Sequence, residues 1–209
     1  LMNVEGTRNI AHAANEVGAH VVHISTDFIF DGKDGPYKED ALAQPLSHYG
    51  WTKLEAEEII QELPSWSILR TVLVIGMAED LSRSNIVLWA KGALEKGQAI
   101  NVVDDQFRTP TLAEDLAQGA LLAADQCAQG VFNISGPDFM SIYDLVGQVA
   151  EHFGLSMASV TRTDSTTLNQ PAKRPPRTGF DISKARKELG YRPHSFKEAL
   201  EIIANQAGL

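Results

Sequence analysis

The chain has 209 residues, of which 44% are hydrophobic and 22% are charged, a composition that is typical of globular rather than disordered proteins. Its formal net charge is −9 without a basic block, and no apolar run approaches the roughly 18 residues of a membrane-spanning helix. We therefore expect neither a nucleic-acid partner nor a membrane partner. Cys127 is the only cysteine, so we expect a reducing, cytoplasmic compartment and a small buried thiol on a helix.

Helices and strands alternate along the first half of the chain. Residues 3–17 are predicted to form a helix, and residues 20–25 a buried parallel strand. A long polar loop follows, and a loop of this length inside a compact domain usually carries function. The next helix is predicted over 47–62 with Ser47 as its N-cap, and the next strand over 67–75.

The second half is predicted to contain shorter elements. They are helices over 83–96, 112–125, 141–153, 183–189 and 195–206, strands over 99–103 and 130–134, and an irregular segment over 162–179. Thr111 and Glu114 are predicted to open the helix over 112–125 as a capping box. Strands that alternate with helices, without internal repeats, predict an α/β fold with a largely parallel sheet.

The strongest chemical signal is Tyr49-Gly50-Trp51-Thr52-Lys53 at a predicted helix start. Residues four apart share one helix face, and an ammonium near a phenol favours the phenolate, so Tyr49 becomes a usable proton donor. Such a pair also occurs by chance in many helices. A second signal, Ser25-Thr26-Asp27-Phe28, lies at the carboxyl end of the predicted strand, where open α/β sheets bind ligands. Alternatively, the Thr26 hydroxyl only caps local backbone.

Other polar residues point to no separate site. The six histidines lack metal-ligand spacing, so we expect no catalytic metal. Glu55, Glu57 and Glu58 are interpreted as a solvated helix face.

Several motifs along the chain match one pattern. They are Asn3-Val4-Glu5-Gly6-Thr7-Arg8-Asn9, Ser25-Thr26-Asp27-Phe28, Gly35-Pro36-Tyr37-Lys38-Glu39-Asp40, Tyr49-Gly50 with Lys53, Leu69-Arg70-Thr71, Asp105-Gln106-Phe107-Arg108-Thr109-Pro110-Thr111 and Asp115-Leu116-Ala117. In these motifs the chain resembles the dTDP-4-dehydrorhamnose reductase family of extended short-chain dehydrogenases/reductases over nearly its whole length. The resemblance implies an NAD(P)-binding Rossmann-like parallel sheet with a small α/β substrate-binding lobe.

The resemblance also implies roles at the catalytic centre. Tyr49 would protonate the C4 oxygen of a nucleotide-diphosphate sugar as hydride arrives from NADH or NADPH. Lys53 would hold the nicotinamide ribose, and Thr26 would bond the same carbonyl oxygen. Asn3 matches a helix asparagine that anchors a proton-relay water in the wider superfamily. A frayed terminal residue is the alternative for Asn3.

Further positions follow from the same resemblance. The cofactor side would include Ser25, Thr71 and Val72. The substrate side would include Asp27, Phe28, Asn85, Asp105 and Arg108. A guanidinium fork binds phosphate bidentately, which suits Arg108 for a diphosphate, whereas a surface arginine paired with Asp104 or Asp105 is the alternative.

Two departures from the family pattern concern the substrate. The strand after Thr71 continues Val72-Leu73-Val74-Ile75 where the family has Ser-Trp-Val-Tyr, so the aromatic that packs on the sugar is absent. Phe28 stands where a tyrosine is usual. Both leave the identity of the sugar open.

The Gly-rich phosphate loop of this family does not occur in the sequence. The resemblance places it, with the first βαβ units of about 80 residues, before the segment that begins near Asn3. We therefore expect residues 1–80 to form the second half of the cofactor domain and 81–209 the substrate lobe, interleaved with returning Rossmann elements at about 110–135. We also expect the 209-residue chain alone to be inactive or very weak.

Two other functions stay open at this point. A C4 epimerase of the same superfamily uses the same tyrosine, lysine and hydroxyl, whereas a dehydratase would need an acidic residue at Phe28. The regulatory subunit of methionine adenosyltransferase also resembles these reductases and acts by binding its partner, so a cofactor-bound scaffold is the second hypothesis. The oligomeric state is open as well, a homodimer being one of the options.

Overall fold

The computed structural model describes residues 2–77, 85–167 and 173–208. The helices of the described parts are α1 (Thr7–Val17), α2 (His48–Gln61), α3 (Ile86–Glu95), α4 (Ala113–Asp125), α5 (Ile142–His152), α6 (Ser183–Glu188) and α7 (Phe196–Ala207), with a π-helical turn at Met2–Gly6 and a 3-10 turn at Asp27–Ile29. The strands are β1 (Val21–Thr26), β2 (Trp66–Thr71), β3 (Val74–Ile75), β4 (Ile100–Val103), β5 (Phe107–Arg108), β6 (Thr111–Leu112), β7 (Gly130–Asn133), β8 (Met140–Ser141) and β9 (Val160–Thr163).

The sheet pairings are mostly parallel, which confirms the predicted α/β class. Strands β1, β2 and β7 form a parallel sheet in that order, and in its register Thr26 pairs with Thr71. The pairs β3–β6 and β4–β9 are parallel, whereas β5–β8 is antiparallel. Since parallel strands end at the same edge, the predicted site residues at the ends of β1 and β2 are neighbours.

Three clusters of buried side chains form the core. One packs α3, α5 and α7 against β4, and it includes Val87, Leu145 and Leu200. A second lies around the polar loop and includes Phe30 and Tyr191. The third packs α1 and α2 against β1 and β2, and it includes Ile60 and Ile68. The site described below lies where the first two clusters meet, because Leu73 contacts both.

Most predicted elements are confirmed to within a few residues, and the exceptions have local causes. The strand predicted over 67–75 is broken between Thr71 and Val74, because Leu73 has a φ of 43°. The segment predicted as irregular over 162–179 begins with β9, which gains its hydrogen bonds from β4 and so depends on a distant partner. Residues 83–84 of the helix predicted over 83–96 lie outside the described residues.

Two local predictions were wrong. Helix α4 begins after Leu112 without a side-chain cap, because the Thr111 hydroxyl donates instead to the Val72 carbonyl at 2.7 Å. Cys127 is exposed and lies beyond the end of α4 with a φ of 44°, rather than buried on the helix. This left-handed conformation after a helix end is one that glycine usually adopts.

The division of the chain at residue 80 stays a prediction. Strand β7 lies within the predicted returning elements, and it pairs with β2. In the ranges given above, no helix combines the length and apolar character needed to cross a bilayer. The same ranges contain no group of three or more His, Cys, Asp and Glu side chains placed to hold a metal ion.

Candidate active site

Helix α2 presents Tyr49 and Lys53 at its first two turns. The Ser47 hydroxyl accepts the Gly50 N–H at 3.1 Å, so Ser47 is the N-cap, as the sequence predicts. A Cβ on Gly50 would lie 2.2 Å from the backbone oxygen of Phe28. Glycine is therefore required here, because it lets the first turn of α2 lie directly on the chain that leaves β1. Tyr49 remains 49% exposed, with its side chain open to a ligand.

Lys53 points from α2 toward β1. Its Nζ donates to the Ile24 carbonyl at 2.7 Å and lies 3.4 Å from His23 Nε2. Burial lowers the pKa of Lys53, and Glu57 opposes that shift. Burial lowers the pKa of His23 to about 4, with Lys53 adding to the effect and Glu57 opposing it. His23 is therefore neutral at physiological pH, and as a neutral imidazole it can accept a hydrogen bond from the ammonium.

Polar side chains end β1 directly beside the tyrosine. Ser25 Oγ is buried and has no hydrogen-bond partner among the described residues. Thr26 Oγ1 accepts the Phe28 N–H at 3.3 Å and lies 3.1 Å from the Asp27 carboxylate, to which it donates. The cap predicted as the alternative for Thr26 is thus present, and the Thr26 side chain also lines the pocket. The Phe28 ring meets the Tyr49 ring edge-on at 5.9 Å.

These residues surround one open pocket. It has a volume of about 340 Å³, and its lining includes Ser25, Thr26, Tyr49, Lys53 and Thr71. Five residues predicted from separate parts of the sequence are therefore brought together by the tertiary structure. We call this space the catalytic pocket.

Asn3 is held against α2 rather than frayed. Its Nδ2 donates to Thr52 Oγ1 at 3.1 Å, and the same Thr52 hydroxyl donates to the Tyr49 carbonyl at 2.9 Å. Asn3 is thereby tied to the turn of α2 that carries the Tyr49–Lys53 pair. Its predicted role in a proton relay stays a prediction.

The end of β2 and the start of β3 form a wall of the catalytic pocket through Thr71, Leu73 and Val74. Thr71 Oγ1 donates to Thr111 Oγ1 at 3.2 Å, and the Val72 carbonyl accepts the Thr111 hydroxyl. The positive φ of Leu73 turns the chain at this wall, and its side chain lines both the catalytic pocket and the neighbouring cavity. Leu73 occupies the position at which the family pattern has tryptophan.

A buried ion pair joins α2 to β2. Arg70 on β2 donates to both carboxylate oxygens of Glu57, at 2.7 and 3.1 Å, and to the Glu39 carbonyl at 2.8 Å. Glu57 is fully buried, so the predicted solvated face was wrong at this residue, although Glu55 and Glu58 are exposed. The exception arises because β2 supplies the arginine, a partner that the helix sequence cannot reveal.

A second cavity of about 260 Å³ adjoins the catalytic pocket, and we call it the lobe cavity. Asp27, Phe28 and Leu73 line both spaces. The rest of the lobe cavity is lined by Ile86, Trp89, Asn101, Val102, Val103, Gln106, Arg108, Ile142 and Arg174. A ligand that reacts beside Tyr49 can therefore extend past Asp27 into a partly apolar space with cationic and amide groups.

Arg108 is buried in the wall of the lobe cavity. It donates to the carbonyls of Phe107, Pro175 and Pro176, and its Nε lies 3.7 Å from the Asp27 carboxylate. The surface arginine proposed as the alternative was wrong, since Asp104 pairs with Arg162 instead. Most of the guanidinium is engaged with protein oxygens, so its predicted contact with a diphosphate stays a prediction.

Asp27 is a buried carboxylate that is only 2% exposed. Thr178 donates to it, as does Thr26, and Arg108 faces it. Burial raises the pKa of Asp27, while Arg108 and the two hydroxyl hydrogen bonds oppose that shift. The carboxylate links β1, β5 and the segment that follows residue 173, and so joins the walls of the two spaces.

Two predicted substrate residues have structural partners. Asn85 caps α3, because its Oδ1 accepts the N–H groups of Val87 and Leu88. Asp105 accepts both the backbone N–H and the hydroxyl of Ser165. These bonds stabilise the start of α3 and the loop after β4. A role of either residue toward a substrate stays a prediction.

Comparison with known proteins places this geometry in a family. The model of the RmlD substrate binding domain family matches residues 1–208. The chain belongs to that family. Solved structures of dTDP-4-dehydrorhamnose reductases superpose closely: one from Clostridium acetobutylicum ATCC 824 has a TM-score of 0.91 and 31% identity, over 99% of this chain and 72% of the other. One from Bacillus anthracis str. Ames, in complex with NADP, has a TM-score of 0.89 and 25% identity over 98% and 72%.

Other proteins that are similar to this chain have different names. A UDP-glucuronic acid 4-epimerase from Bacillus cereus, solved with UDP-glucuronic acid and NAD, has a TM-score of 0.81 and 26% identity over 97% of this chain and 66% of the other. Spore coat polysaccharide biosynthesis protein SpsK of Bacillus subtilis (strain 168) is 33% identical over 96% of this chain and 69% of its own length. Methionine adenosyltransferase 2 subunit beta of Xenopus laevis is 31% identical over 90% of this chain, which spans 58% of that relative.

Sequence reasoning missed several residues of the lobe cavity. No role was predicted for Gln106 in its motif or for Arg174 in the segment predicted to be irregular. Trp89 was predicted only as part of an amphipathic helix. A signal was present for Gln106, because it lies two residues before Arg108, and side chains two residues apart in an extended chain share a face. For Trp89 and Arg174 the sequence contains no such signal, since long-range packing brings them to the cavity.

Proposed function

We propose that the chain carries the catalytic tyrosine and the substrate cavity of an NAD(P)H-dependent reductase that acts on a nucleotide-linked 4-keto-6-deoxysugar. The observation that supports this most is the placement of Tyr49 and Lys53 in a pocket that continues into the lobe cavity. One face of a substrate can thus lie beside a proton donor while the remainder occupies a space with cationic groups.

The catalytic pocket fits the nicotinamide half of such a cofactor. The Ser25 hydroxyl is buried without a partner, and such a group costs about 1–3 kcal/mol unless a ligand satisfies it. Lys53 offers an ammonium whose protein partners are a carbonyl and an imidazole, and this donor suits ribose hydroxyls. When bound, NADPH or NADH would supply a hydride from its reduced nicotinamide.

The side chains of the catalytic pocket would supply the proton that the carbonyl oxygen of the sugar needs. The carbonyl oxygen of the sugar accepts a hydrogen bond from the Tyr49 hydroxyl, and from Thr26 once its hydroxyl rotates away from Asp27. As the carbonyl carbon gains the hydride, the oxygen takes the Tyr49 proton and becomes a hydroxyl. The Lys53 ammonium stabilises the tyrosinate that remains, because an opposite charge nearby favours the charged form. Proton transfer from a positioned side chain contributes about 10²–10⁴-fold to such a rate.

Two alternatives have support among the relatives. The 4-epimerase from Bacillus cereus favours an epimerase of a nucleotide sugar. The methionine adenosyltransferase subunits favour a cofactor-bound scaffold that acts through a partner protein. The absence of an aromatic residue at Leu73 weakens the assignment of the rhamnose precursor itself but not of the reaction.

The test uses the product of the complete gene. NADH and NADPH oxidation is followed with dTDP-4-keto-6-deoxyglucose and with its 3,5-epimerised form. We expect oxidation with one cofactor and a loss of about 10²–10⁴-fold in Tyr49→Phe. Tyr143→Phe is the matched control, since Tyr143 lies on α5 against Arg162 rather than in the catalytic pocket.

Three results would count against the reductase. Equal rates for wild type and Tyr49→Phe would remove the tyrosine from the mechanism. Interconversion of C4 epimers with no net oxidation of the cofactor would favour the epimerase. Tight cofactor binding without turnover, together with retention of methionine adenosyltransferase on the immobilised protein, would favour the scaffold.

A further inference from the structure

Gln106 carries a buried amide nitrogen that donates to no described residue. The residue lies between β4 and β5 and is 4% exposed, and its Nε2 has no hydrogen-bond partner among the described residues. Its backbone is fixed, because its carbonyl accepts the Ile142 N–H at 2.9 Å. A buried donor without a partner costs about 1–3 kcal/mol. A ligand that accepts this hydrogen bond would recover that cost on binding.

The direction of the Gln106 side chain agrees with the place of this residue directly before β5. Successive side chains of an extended chain point to opposite faces, so Gln106 and Arg108 face the lobe cavity, and both line it. Phe107 lies on the other face, with its ring 4.5 Å from the Arg177 guanidinium. Arg108 already donates to three carbonyls. Among the described residues, Gln106 Nε2 is a buried donor on this wall without a hydrogen-bond partner.

The chemistry of the cavity indicates which part of a ligand the amide meets. Arg174 is exposed and lines the same cavity, and a charged guanidinium is the donor that an anionic diphosphate prefers. A neutral amide is matched by a neutral hydroxyl oxygen, which can also donate to the amide oxygen. The cavity shares Asp27 and Phe28 with the catalytic pocket, so a reacting sugar ring lies next to this wall.

We propose that the Gln106 amide is a specificity-determining donor to a hydroxyl oxygen on the glycosyl ring of the nucleotide sugar. This inference rests on the proposed function, because it takes a nucleotide sugar as the ligand. It assigns sugar recognition to Gln106, whereas Arg108 shapes the wall beside it. A protein built this way distinguishes a nucleotide sugar from the bare nucleotide through one hydrogen bond.

The experiment measures binding by calorimetry with the product of the complete gene, using dTDP-glucose and dTDP, and in parallel UDP-glucose and UDP. In Gln106→Met, which keeps the length of the side chain but removes the donor, we expect the affinity for the nucleotide sugar to fall about tenfold. The affinity for the bare nucleotide should stay unchanged. Gln98→Met is the control, since Gln98 is exposed, and it should bind both ligands as the wild type does.

Stability gives an independent readout. Since Met removes an unsatisfied buried donor, the ligand-free Gln106→Met protein should melt at the same temperature as the wild type or higher. A merely structural glutamine would instead lower the melting temperature on substitution. Gln106→Asn retains an amide but shortens its reach, and it should lose the same preference for the nucleotide sugar. This second variant tests the inference if Gln106→Met does not fold.

The outcomes separate this inference from the proposed function. Wild-type binding of a nucleotide sugar with no difference in either Gln106 variant would overturn the inference alone. Equal losses for nucleotide sugar and bare nucleotide would also overturn it, because the contact would then not be with the sugar. Failure of the wild type to bind either nucleotide sugar would overturn both.

Discussion

Two buried arginines support the two halves of the site in different ways. Arg70, behind the catalytic pocket, is neutralised by a bidentate pair with Glu57. Arg108, in the wall of the lobe cavity, lies 3.7 Å from Asp27 and directs its other donors to backbone carbonyls. The first arrangement joins a helix to a strand by a charge pair, and the second shapes a wall with a network of hydrogen bonds.

The difference teaches that a motif position does not by itself define the role of an arginine. Arg108 lies in the motif that the family resemblance assigned to the diphosphate, yet the fold uses its guanidinium to hold the segment at residues 175 and 176. Arg70 lies in a strand motif without any assigned ligand, yet it positions the helix that carries Tyr49 and Lys53. The two halves should therefore respond differently when each arrangement is broken.

The largest expected effect comes from the charge pair. Glu57→Gln leaves Arg70 buried without a carboxylate, so the free energy of unfolding should fall by about 3–5 kcal/mol. Urea unfolding of the variant against the wild type measures this. Glu58→Gln changes the neighbouring exposed glutamate and should have little effect. Similar losses for the two variants would mean that the pair does not support α2.

A smaller loss is expected at the other arginine. Arg108→Met removes the charge that faces Asp27 and the guanidinium hydrogen bonds to three carbonyls, which should cost about 2–3 kcal/mol by urea unfolding. In the Arg108→Met background, Asp27→Asn should lower the free energy of unfolding by less than it does in the wild type, because the two groups interact. Arg192→Met, at an exposed position, is the control. Strict additivity of the two changes would show that Asp27 and Arg108 are independent.

The close approach between the start of α2 and the Phe28 carbonyl can be tested by substituting glycines. Gly50→Ala should lower the free energy of unfolding by about 1–3 kcal/mol, because its Cβ would meet the Phe28 carbonyl and push α2 from β1. It should also lower turnover, since Tyr49 moves with the helix. Gly147→Ala in α5, where a Cβ meets nothing within 4 Å, should instead stabilise by about 0.5–1 kcal/mol. A neutral Gly50→Ala would show that the helix start is adaptable.

The last effect appears only at acidic pH and arises at His23, beside Lys53. The pKa of His23 is lowered from 6.5 to about 4 in the folded protein. As pH falls below 6.5, His23 is protonated in the unfolded chain but stays neutral in the folded protein until about pH 4. The free energy of unfolding therefore declines across this window. His23→Asn should lack that part of the decline in urea midpoints measured from neutral pH to about pH 4. His12→Asn, at an exposed position, should retain it.

Much of the fold could be predicted because its signals are local. Ser47 as the N-cap of α2 and Ser141 before α5 are recognised from side chains that bond within one turn. The α/β class follows from alternating apolar segments. The break at Leu73, the strand β9 and the missing cap at Thr111 could not be predicted in this way. Each depends on a partner far along the chain, such as Val72 for the Thr111 hydroxyl.

For the site, the sequence by itself determined the chemistry of the catalytic pocket. The spacing of Tyr49 and Lys53 places them on one helix face wherever the helix lies, and Ser25 and Thr26 end their strand in any parallel sheet. Only the tertiary structure decided what each polar group is free to do. Burial and distant partners engage Glu57 and Arg108, yet they leave Nε2 of Gln106 without a partner among the described residues. Hydrogen-bond satisfaction depends on groups that the chain brings together only on folding.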